Sequence, residues 1–361
     1  MSTFARRAAL ALASALIVAA CGGGGDSDAD EPTETSAAVE TTAGSESTTT
    51  TDATDPTTAS VVEVAGPVAP LTGLPDEAGL DRPALAVKID NHPQNARPQV
   101  GINQADLVIE ETVEGNITRL IAVFHTETPD PIGPVRSART QDVVILANLG
   151  NPLFANSGGN AGTMSAVRNS DDLVNANVDQ IPGAFYREAR PRFAPHNLFA
   201  NTTVIYENAS DLSGRPAPLF DFLAAGDGPP EWATPATGVD LAYGGIDVNY
   251  TWDDSAEGWA RLQSGTPHVD GDEVQVAPAN VVVLETEYGR SSADPGSPEA
   301  RVTGTGTAWV FTQGTVQQGT WERETPQDVA TLTSDSGEPM VLTPGHTWIA
   351  LPRPDRTTIT G

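Results

Sequence analysis

Two arginines placed three positions apart, Arg136 and Arg139, mark the clearest candidate binding segment of the chain. They follow Gly133-Pro134, and Ser137 between them is a residue type that often caps a helix N-terminus. A helix N-terminus attracts anions, and an arginine can bind a carboxylate or phosphate through two parallel hydrogen bonds. The segment therefore predicts a site for an anionic group. Helix capping combined with ion pairs to nearby glutamates is the alternative interpretation.

The strand patterns on either side of Gly115-Asn116 predict a β-hairpin with a two-residue loop. In the register set by such a loop, Arg119 lies on one face of the hairpin between Glu110 and Glu114. We therefore expect Arg119 to lie within ion-pair reach of one of these two glutamates.

Glu111 points, in the same register, into the opposite and apolar face of the hairpin. An ionised carboxylate is costly there unless it is paired or held protonated. Lys88, the only lysine of the chain, ends the apolar strand pattern 84–90 and is one nearby partner; Arg136 and Arg139 are others. The pattern fits either a buried structural salt bridge or a carboxylate that binds a ligand or transfers a proton.

Four further residues complete the candidate site. Arg97 lies in a proline-flanked loop and is a third arginine able to reach an anion. His196 and Asn197 follow a proline, and they fit either a general base with its positioning amide or a hydrogen-bonded loop. The expected ligand-binding set is Lys88, Asp90, Arg97, Glu110, Glu111, Glu114, Arg119, Arg136, Ser137, Arg139, His196 and Asn197. The histidines show no metal-ligand spacing, so no metal and no cofactor is expected, and no catalytic residue is assigned.

The elements that must position these residues divide into two predicted domains. Strand patterns mixed with helical spacing, including helices at 161–168 and 201–208, predict an α/β or α+β domain over 67–225. Proline and glycine crowd the segment 226–239, which we interpret as a linker. Short strand patterns separated by turn residues then predict an all-β domain over 240–361.

The N-terminus has the pattern of a bacterial lipoprotein signal. Arg6 and Arg7 precede a short apolar run, 8–20, that ends in small residues directly before Cys21. This ending resembles the lipobox of lipoprotein signal peptides, in which the cysteine is acylated after cleavage. The sequence therefore predicts a signal peptide over 1–20 and a lipid on Cys21 that anchors the protein on the extracytoplasmic face of the cell membrane.

Composition limits the other partners of the protein. The segment 21–66 is acidic, rich in serine and threonine and free of aromatic residues, which predicts a disordered tether. The chain holds 48 acidic against 19 basic residues, a net charge of −29. Such a surface repels nucleic acid, so an anionic ligand must be held by a local basic site. Cys21 is the only cysteine, which excludes intrachain disulfides and cysteine-based metal sites.

Several segments of the first half resemble the YerB-like lipoproteins, whose N-terminal domain has no assigned function, and the second half resembles their C-terminal domain more loosely. This resemblance implies an extracytoplasmic, lipid-anchored protein with an α/β domain followed by a β-rich domain. It supplies no activity and no catalytic residue. The segments are AVKIDNHPQNARPQVGINQADLVIEETVEGNITRLIAVFH, PIGPVRSAR, NSGGNAG and APHNLF in the first half, and NVVVLE, GTWERE and GHTWIALP in the second.

Three functions fit these observations. The first is a membrane-anchored lipoprotein that binds an anionic small molecule or a cell-envelope precursor in an arginine- and glutamate-lined cleft. The second is an enzyme acting on phosphate-linked envelope glycans, which needs a carboxylate or His196 within hydrogen-bond reach of the phosphate. The third is an envelope scaffold that docks a protein partner through the β domain, which needs an exposed apolar patch there.

Overall fold

A mixed β-sheet of eleven strands is the centre of the computed structural model, which describes residues 67–212 and 214–361. The expected signal peptide, Cys21 and the tether up to residue 66 lie outside the described residues. The strands of the first half are β1 (Leu85–Asp90), β2 (Leu107–Thr112), β3 (Thr118–Phe124), β4 (Leu153–Ala155), β5 (Val174–Asn175), β6 (Phe185–Arg187), β7 (Leu198–Ala200) and β8 (Asp221–Phe222).

The second half contributes fourteen further strands and the first half three helices. The strands are β9 (Thr234–Pro235), β10 (Gly238–Ala242), β11 (Asp247–Asp253), β12 (Gly258–Gln263), β13 (Thr266–Pro267), β14 (Asn280–Leu284), β15 (Tyr288–Arg290), β16 (Pro298–Ala300), β17 (Gly304–Thr312), β18 (Thr315–Arg323), β19 (Thr331–Ser334), β20 (Val341–Leu342), β21 (Thr347–Leu351) and β22 (Thr357–Thr360). The helices are α1 (Thr140–Leu146), α2 (Ala161–Asn169) and α3 (Thr202–Glu207). The helices expected at 161–168 and 201–208 correspond to α2 and α3.

The central sheet crosses the expected boundary between the two halves. Its main path runs β19-β18-β17-β14-β21-β2-β3-β1-β4-β5, and β9 pairs with β18. Strands β2 and β21 are parallel neighbours, with Ile109 opposite Ile349. A division into an α/β domain and an all-β domain is therefore not confirmed, because both halves build one mostly β structure around one sheet.

Each face of the central sheet covers a different apolar core. On one face, Leu120 and Phe124 of β3 share a core with Trp259 and Trp348 of the second half, under the five-stranded sheet β13-β12-β11-β10-β22. On the other face, Ile121 of β3 shares a core with residues of α1 and α2. The alternation along β3 follows from strand geometry, in which successive side chains point to opposite faces.

The predicted register of the β2–β3 hairpin is wrong by one residue. The loop contains three residues, Glu114–Asn116, and the Val113 N–H donates a 2.9 Å hydrogen bond to the Ile117 carbonyl oxygen across its base. Glu111 therefore lies opposite Arg119, and Glu110 lies opposite Leu120. A shift of one residue moves every side chain of a strand to the other face.

The longer loop has a tertiary cause. The Glu114 side chain binds Arg139 and Ser297, which draws this residue out of the strand pair and into the loop. The Gly245 N–H also donates a 2.9 Å hydrogen bond to the Asn116 carbonyl oxygen. These contacts involve residues far away in sequence, so they override the two-residue loop that the Gly-Asn pair favours by itself. Among the described residues, no helix is long and apolar enough to cross a membrane.

Candidate functional site

Polar side chains gather at the end of the central sheet where β1, β2 and β4 terminate. We call this region, which contains Asp90, Arg119, Arg136 and His196, the site edge. These three strands point the same way, because β1 and β4 are parallel and β3 is antiparallel to both β1 and β2. The segment around Arg136 crosses this edge: its N–H donates to the Lys88 carbonyl oxygen at 2.8 Å, and its carbonyl oxygen accepts from the Ser157 N–H at 3.0 Å. Crevices at the carboxyl ends of parallel strands are common ligand sites.

Asp90, the last residue of β1, organises the centre of this edge. Its Oδ2 atom lies 2.6 Å from His196 Nδ1 and 3.3 Å from Arg136 Nε, and its Oδ1 atom accepts a 3.1 Å hydrogen bond from the His92 N–H. Asp90 is buried, whereas the side chains of His196 and Arg136 keep 14% and 22% exposure. The bond to Nδ1 fixes the orientation of the imidazole and leaves Nε2 available to another group.

Arg119 is a buried cation near this centre. It is 7% exposed, and its Nη1 atom donates a 2.8 Å hydrogen bond to the Ser137 carbonyl oxygen. No carboxylate among residues 67–212 and 214–361 lies within 4.0 Å of its guanidinium nitrogens, so the expected ion pair with Glu110 or Glu114 is not formed. Burial, together with the positive charges of Arg139 and Arg136, lowers the pKa of Arg119 to about 10.

Arg139 pairs with Glu114 instead. Its Nε and Nη2 atoms donate to the two carboxylate oxygens, each at 2.6 Å, and Ser297 donates to the same carboxylate. Partial burial by itself would raise the pKa of Glu114, but the hydrogen bonds from Arg139 and Ser297 lower it to about 2. Glu114 is therefore ionised throughout the physiological pH range.

The start of α1 differs from the expectation. Arg139, not Ser137, is the N-cap residue, and its N–H donates a 2.7 Å hydrogen bond to Asp142 Oδ2. The Ser137 hydroxyl instead lies 3.4 Å from the hydroxyl of Ser157, beside the candidate site. Ser137 therefore contributes its carbonyl oxygen to Arg119 and its hydroxyl to the site surface, while Asp142 supplies the capping function.

Lys88, Glu111 and Asp142 form a triad sealed from solvent beneath this edge. Lys88 Nζ donates to a Glu111 oxygen and, at 2.7 Å, to Asp142 Oδ1, and all three side chains are fully buried. Burial raises the pKa of Glu111 to about 8; the positive charge of Lys88 opposes the shift, and the negative charge of Asp142 adds to it. The remaining Glu111 oxygen has no hydrogen-bond partner among the described atoms. Lys88 and Asp142 therefore hold Glu111 inside the protein, away from the surface of the site edge.

Glu110 points to the opposite side of the sheet and binds Arg261 of β12. Arg261 Nη2 donates to both carboxylate oxygens of Glu110 at 2.9 Å. Trp348 Nε1 and the Thr118 hydroxyl donate to the same carboxylate at 3.0 and 2.7 Å. Glu110 and Arg261 are both fully buried. The pair joins the central sheet to the five-stranded sheet and does not reach the site edge.

A hydrogen-bonded path leads from this buried pair back to Asp90. Burial, with the positive charge of Arg261, holds the pKa of His268 well below its ordinary value, so the ring is neutral. Its Nδ1 atom must accept from Arg261 Nη1 at 2.5 Å, because arginine can only donate. Its Nε2–H then donates to Gln99 Oε1 at 2.7 Å, and the Gln99 amide donates to the Asp90 carbonyl oxygen at 2.9 Å.

Two further residues of the expected set, Arg97 and Asn197, form no side-chain hydrogen bond with Asp90, Arg119 or His196 among the described residues. The Nε atom of Arg97 is buried and lacks a hydrogen-bond partner within the described part of the chain, and burial followed by repulsion from Arg261 lowers its pKa. Asn197 holds the β6–β7 hairpin, donating to the Glu188 carbonyl oxygen at 2.6 Å and accepting from Arg187 at 2.9 Å. We assign Asn197 a structural contact in that hairpin.

Sequence reasoning missed three residues that complete these groups: Asp142, Ser157 and Arg261. Asp142 lies three residues after Arg139, the spacing of a capping box, so a local signal existed. Ser157 lies in the motif NSGGNAG, which carries the family resemblance but no signal of its own for a ligand. Arg261 carried no signal, because its partner Glu110 lies 151 residues earlier in the chain. No cluster of three or more His, Asp, Glu or Cys side chains able to hold a metal ion is found in the described part of the chain.

Comparison with known proteins places the chain in a family. A family model described as "Protein of unknown function (DUF3048) N-terminal domain" matches residues 71–215, and the corresponding C-terminal domain matches residues 239–349. The chain therefore belongs to this two-part family, whose description assigns no function. The β6–β7 hairpin, the site edge and the Arg261 network all lie within the matched segments.

A relative and its solved structure give the same result. "Putative lipoprotein YerB" of Bacillus subtilis (strain 168) is 30% identical over 292 residues, which cover 78% of this chain and 85% of that protein. The crystal structure of YerB from Bacillus subtilis matches with a TM-score of 0.70 and 29% identity, over 81% of this chain and 99% of that chain. The resemblance to YerB-like lipoproteins that the sequence motifs indicate is therefore confirmed.

Proposed function

We propose that the protein is an extracytoplasmic, lipid-anchored lipoprotein that binds the phosphate or carboxylate group of a small molecule or envelope precursor at the edge formed by Arg119, Arg136 and His196. The observation that carries this proposal is the buried guanidinium of Arg119 without a carboxylate partner within 4.0 Å in the part of the chain described. Burying a cation in this way is costly. A bound anion would supply the missing charge.

The charges around Arg119 support an anionic ligand. The positive charges of Arg139 and Arg136 lower the pKa of Arg119, and the carboxylates of Glu114 and Asp90 raise it. Asp90 binds Arg136, and Glu114 binds Arg139. One positive charge is left over, in a protein whose net charge is −29. A local positive excess of this kind matches arginine's preference for oxyanions.

The anchoring part of the proposal rests on the N-terminal sequence and on the relative. Cys21 follows a charged segment and a short apolar run in the order of a lipoprotein signal peptide. The related protein of Bacillus subtilis carries "lipoprotein" in its name. A lipid on Cys21 would hold the site near the outer face of the membrane.

Calorimetric titration of the full-length chain with inorganic phosphate and with glycerol 3-phosphate at pH 7 tests the binding site. We expect Arg119→Gln or Arg136→Gln to weaken binding at least tenfold. Arg168→Gln is the matched control, because it removes the same charge from an exposed position of α2, outside the site. Equal affinities of the Arg119 variant and the control would refute the proposal.

The Asp90–His196 contact favours a second candidate, an enzyme acting on phosphate-linked envelope glycans. A carboxylate 2.6 Å from Nδ1 orients a histidine so that Nε2 can accept a proton from an attacking water or hydroxyl oxygen. As the new oxygen–phosphorus bond forms, the leaving-group oxygen departs from phosphorus. Release of p-nitrophenolate from bis(p-nitrophenyl) phosphate tests this candidate. A reaction that His196→Gln abolishes, with phosphate affinity retained, would identify an enzyme; a reaction unaffected by His196→Gln would argue against His196 as the base.

A further inference from the structure

A second polar cleft lies on the same edge of the sheet, beside the β2–β3 loop. It has a volume of about 380 Å³ and opens between that loop and the β15–β16 hairpin. Its polar side chains are Glu114, Asn116, Tyr288, Arg290, Ser297 and Arg353. Apart from Glu114, none of these residues belongs to the site expected from the sequence.

The two arginines of this cleft are free to bind a ligand. Arg290 is exposed and Arg353 is half-buried, and neither has a carboxylate within 4.0 Å among the residues that the structure describes. The carboxylate of Glu114 lines the same cleft, but Arg139 and Ser297 already hold it. The cleft therefore contains two uncompensated positive charges.

Tyr288 fixes the position of one of these charges. The Arg353 guanidinium carbon lies 4.6 Å from the centre of the Tyr288 ring, which is cation–π geometry. The Tyr288 hydroxyl donates to the Leu351 carbonyl oxygen at 2.7 Å and accepts from the Thr112 N–H at 3.1 Å. These two hydrogen bonds fix the position of the ring. A guanidinium whose face rests on a fixed ring keeps its edge donors available in one place, which lowers the entropy lost on binding.

From this geometry we infer that the cleft is a second anion site, which binds a phosphate group through Arg290 and Arg353, with the Ser297 side chain at its wall. It is separate from the site at Arg119, because the Glu114–Arg139 pair lies between them: Glu114 lines the cleft, and Arg139 acts on Arg119. The inference does not depend on the proposed function, since it uses different arginines. The phosphate can belong to a soluble phosphate ester or to a phospholipid headgroup.

Titration of the full-length chain with inorganic phosphate and glycerol 3-phosphate tests this second site, with Arg290→Gln and Arg353→Gln as variants. We expect each variant to weaken one binding event at least tenfold and to leave the event that depends on Arg119 within twofold of the wild type. Arg356→Gln is the control, because Arg356 is an exposed arginine three residues further along that does not line the cleft. Nuclear magnetic resonance provides a readout without substitutions: the amide signals of Gly289 and Gly296 should shift on phosphate addition.

The outcomes separate the two sites and the two sources of phosphate. If Arg353→Gln changes nothing and the Gly289 and Gly296 signals do not move, the second site does not exist, whatever happens at Arg119. If only the Arg119-dependent event is missing, the second site stands and the proposed function fails. Sedimentation with phosphatidylglycerol vesicles, lost in Arg353→Gln, would assign the phosphate to a lipid headgroup. Binding of glycerol 3-phosphate without vesicle binding would assign it to a soluble ester.

Discussion

Glu110 and Arg261 form a two-bond ion pair, with nitrogen–oxygen distances of 2.9 Å, in a fully buried position between the two large sheets. Breaking such a pair from one side leaves the other charge buried without a counterion. Substituting either residue should therefore destabilise the protein strongly, although the pair lies away from the candidate site.

We expect Glu110→Gln to lower the free energy of unfolding by about 3–5 kcal/mol, the usual cost of isolating one charge of a buried pair. The double variant Glu110→Gln/Arg261→Met should lose less than the sum of the two single variants, because neither charge then remains uncompensated. Denaturant unfolding of the four proteins measures both quantities. Additive losses would show that the two side chains do not stabilise each other.

Glu111 predicts a dependence of stability on pH. Burial raises its pKa to about 8 in the folded protein, against 4.5 for the unperturbed group. Between these values the folded state holds a proton that the unfolded state has released, so stability falls as pH rises from about 4.5 to about 8. Glu111→Gln keeps a neutral side chain and should remove this contribution.

The stability advantage of Glu111→Gln over wild type should therefore grow from pH 5 to pH 8, by up to about 1.4 kcal/mol per pH unit. Denaturant unfolding at four pH values measures this difference. Glu207→Gln is the control, since Glu207 is an exposed glutamate of α3. A difference that stays constant with pH would mean that Glu111 is ionised in the folded protein.

Substituting Arg119 should affect ligand binding but should not lower thermal stability. Removing a buried cation that lacks a carboxylate partner within the described residues should leave the melting temperature unchanged or raise it. Arg139→Gln should lower the melting temperature, because it leaves the carboxylate of Glu114 with only Ser297 to bind it. Thermal unfolding of the two variants, with and without phosphate, checks the contrast. A similar fall for both would indicate that Arg119 is a structural residue.

Replacing Cys21 tests whether a lipid anchors the protein to the membrane. Cys21→Ala should release the chain from the membrane fraction or leave its signal peptide uncleaved, because the cysteine is the proposed site of lipid attachment. Ser14→Ala is the control, since it changes the same segment without removing the thiol. Fractionation of cells that express each variant gives the answer, and membrane association of Cys21→Ala equal to that of the wild type would exclude the lipid anchor.

Local patterns predicted which segments carry the site, and long-range contacts decided how its residues are arranged. Asp90, Arg136 and His196 could be chosen because polar residues next to strand ends or prolines carry local signals. The register of the hairpin could not be predicted, because Ser297 binds Glu114 from 183 residues away. The strand pattern did predict that Glu111 faces an apolar surface with Lys88 as a partner. The position of Arg119 opposite Glu111 follows from the observed register and was not predicted.

The fold class was predicted in part for the same reason. The short strands of the second half were recognisable from turn residues and alternating patterns. Their partners were not, because β21 inserts beside β2, with Leu107 opposite Thr347, 240 residues further along the chain. Local patterns describe strands one at a time, and only the tertiary structure shows that both halves share one sheet.

The β2–β21 pairing has a practical consequence for anyone who wishes to express one half of this protein alone. A fragment ending in the segment 226–239 would lack β21, so one edge of β2 would be unpaired. The complementary fragment would lack β2, so the edge of β21 that faces β2 would be unpaired. Unpaired strand edges of this kind promote aggregation. The two family segments should therefore be insoluble separately and recover together on co-expression, which makes the pair a candidate for a split-protein complementation system.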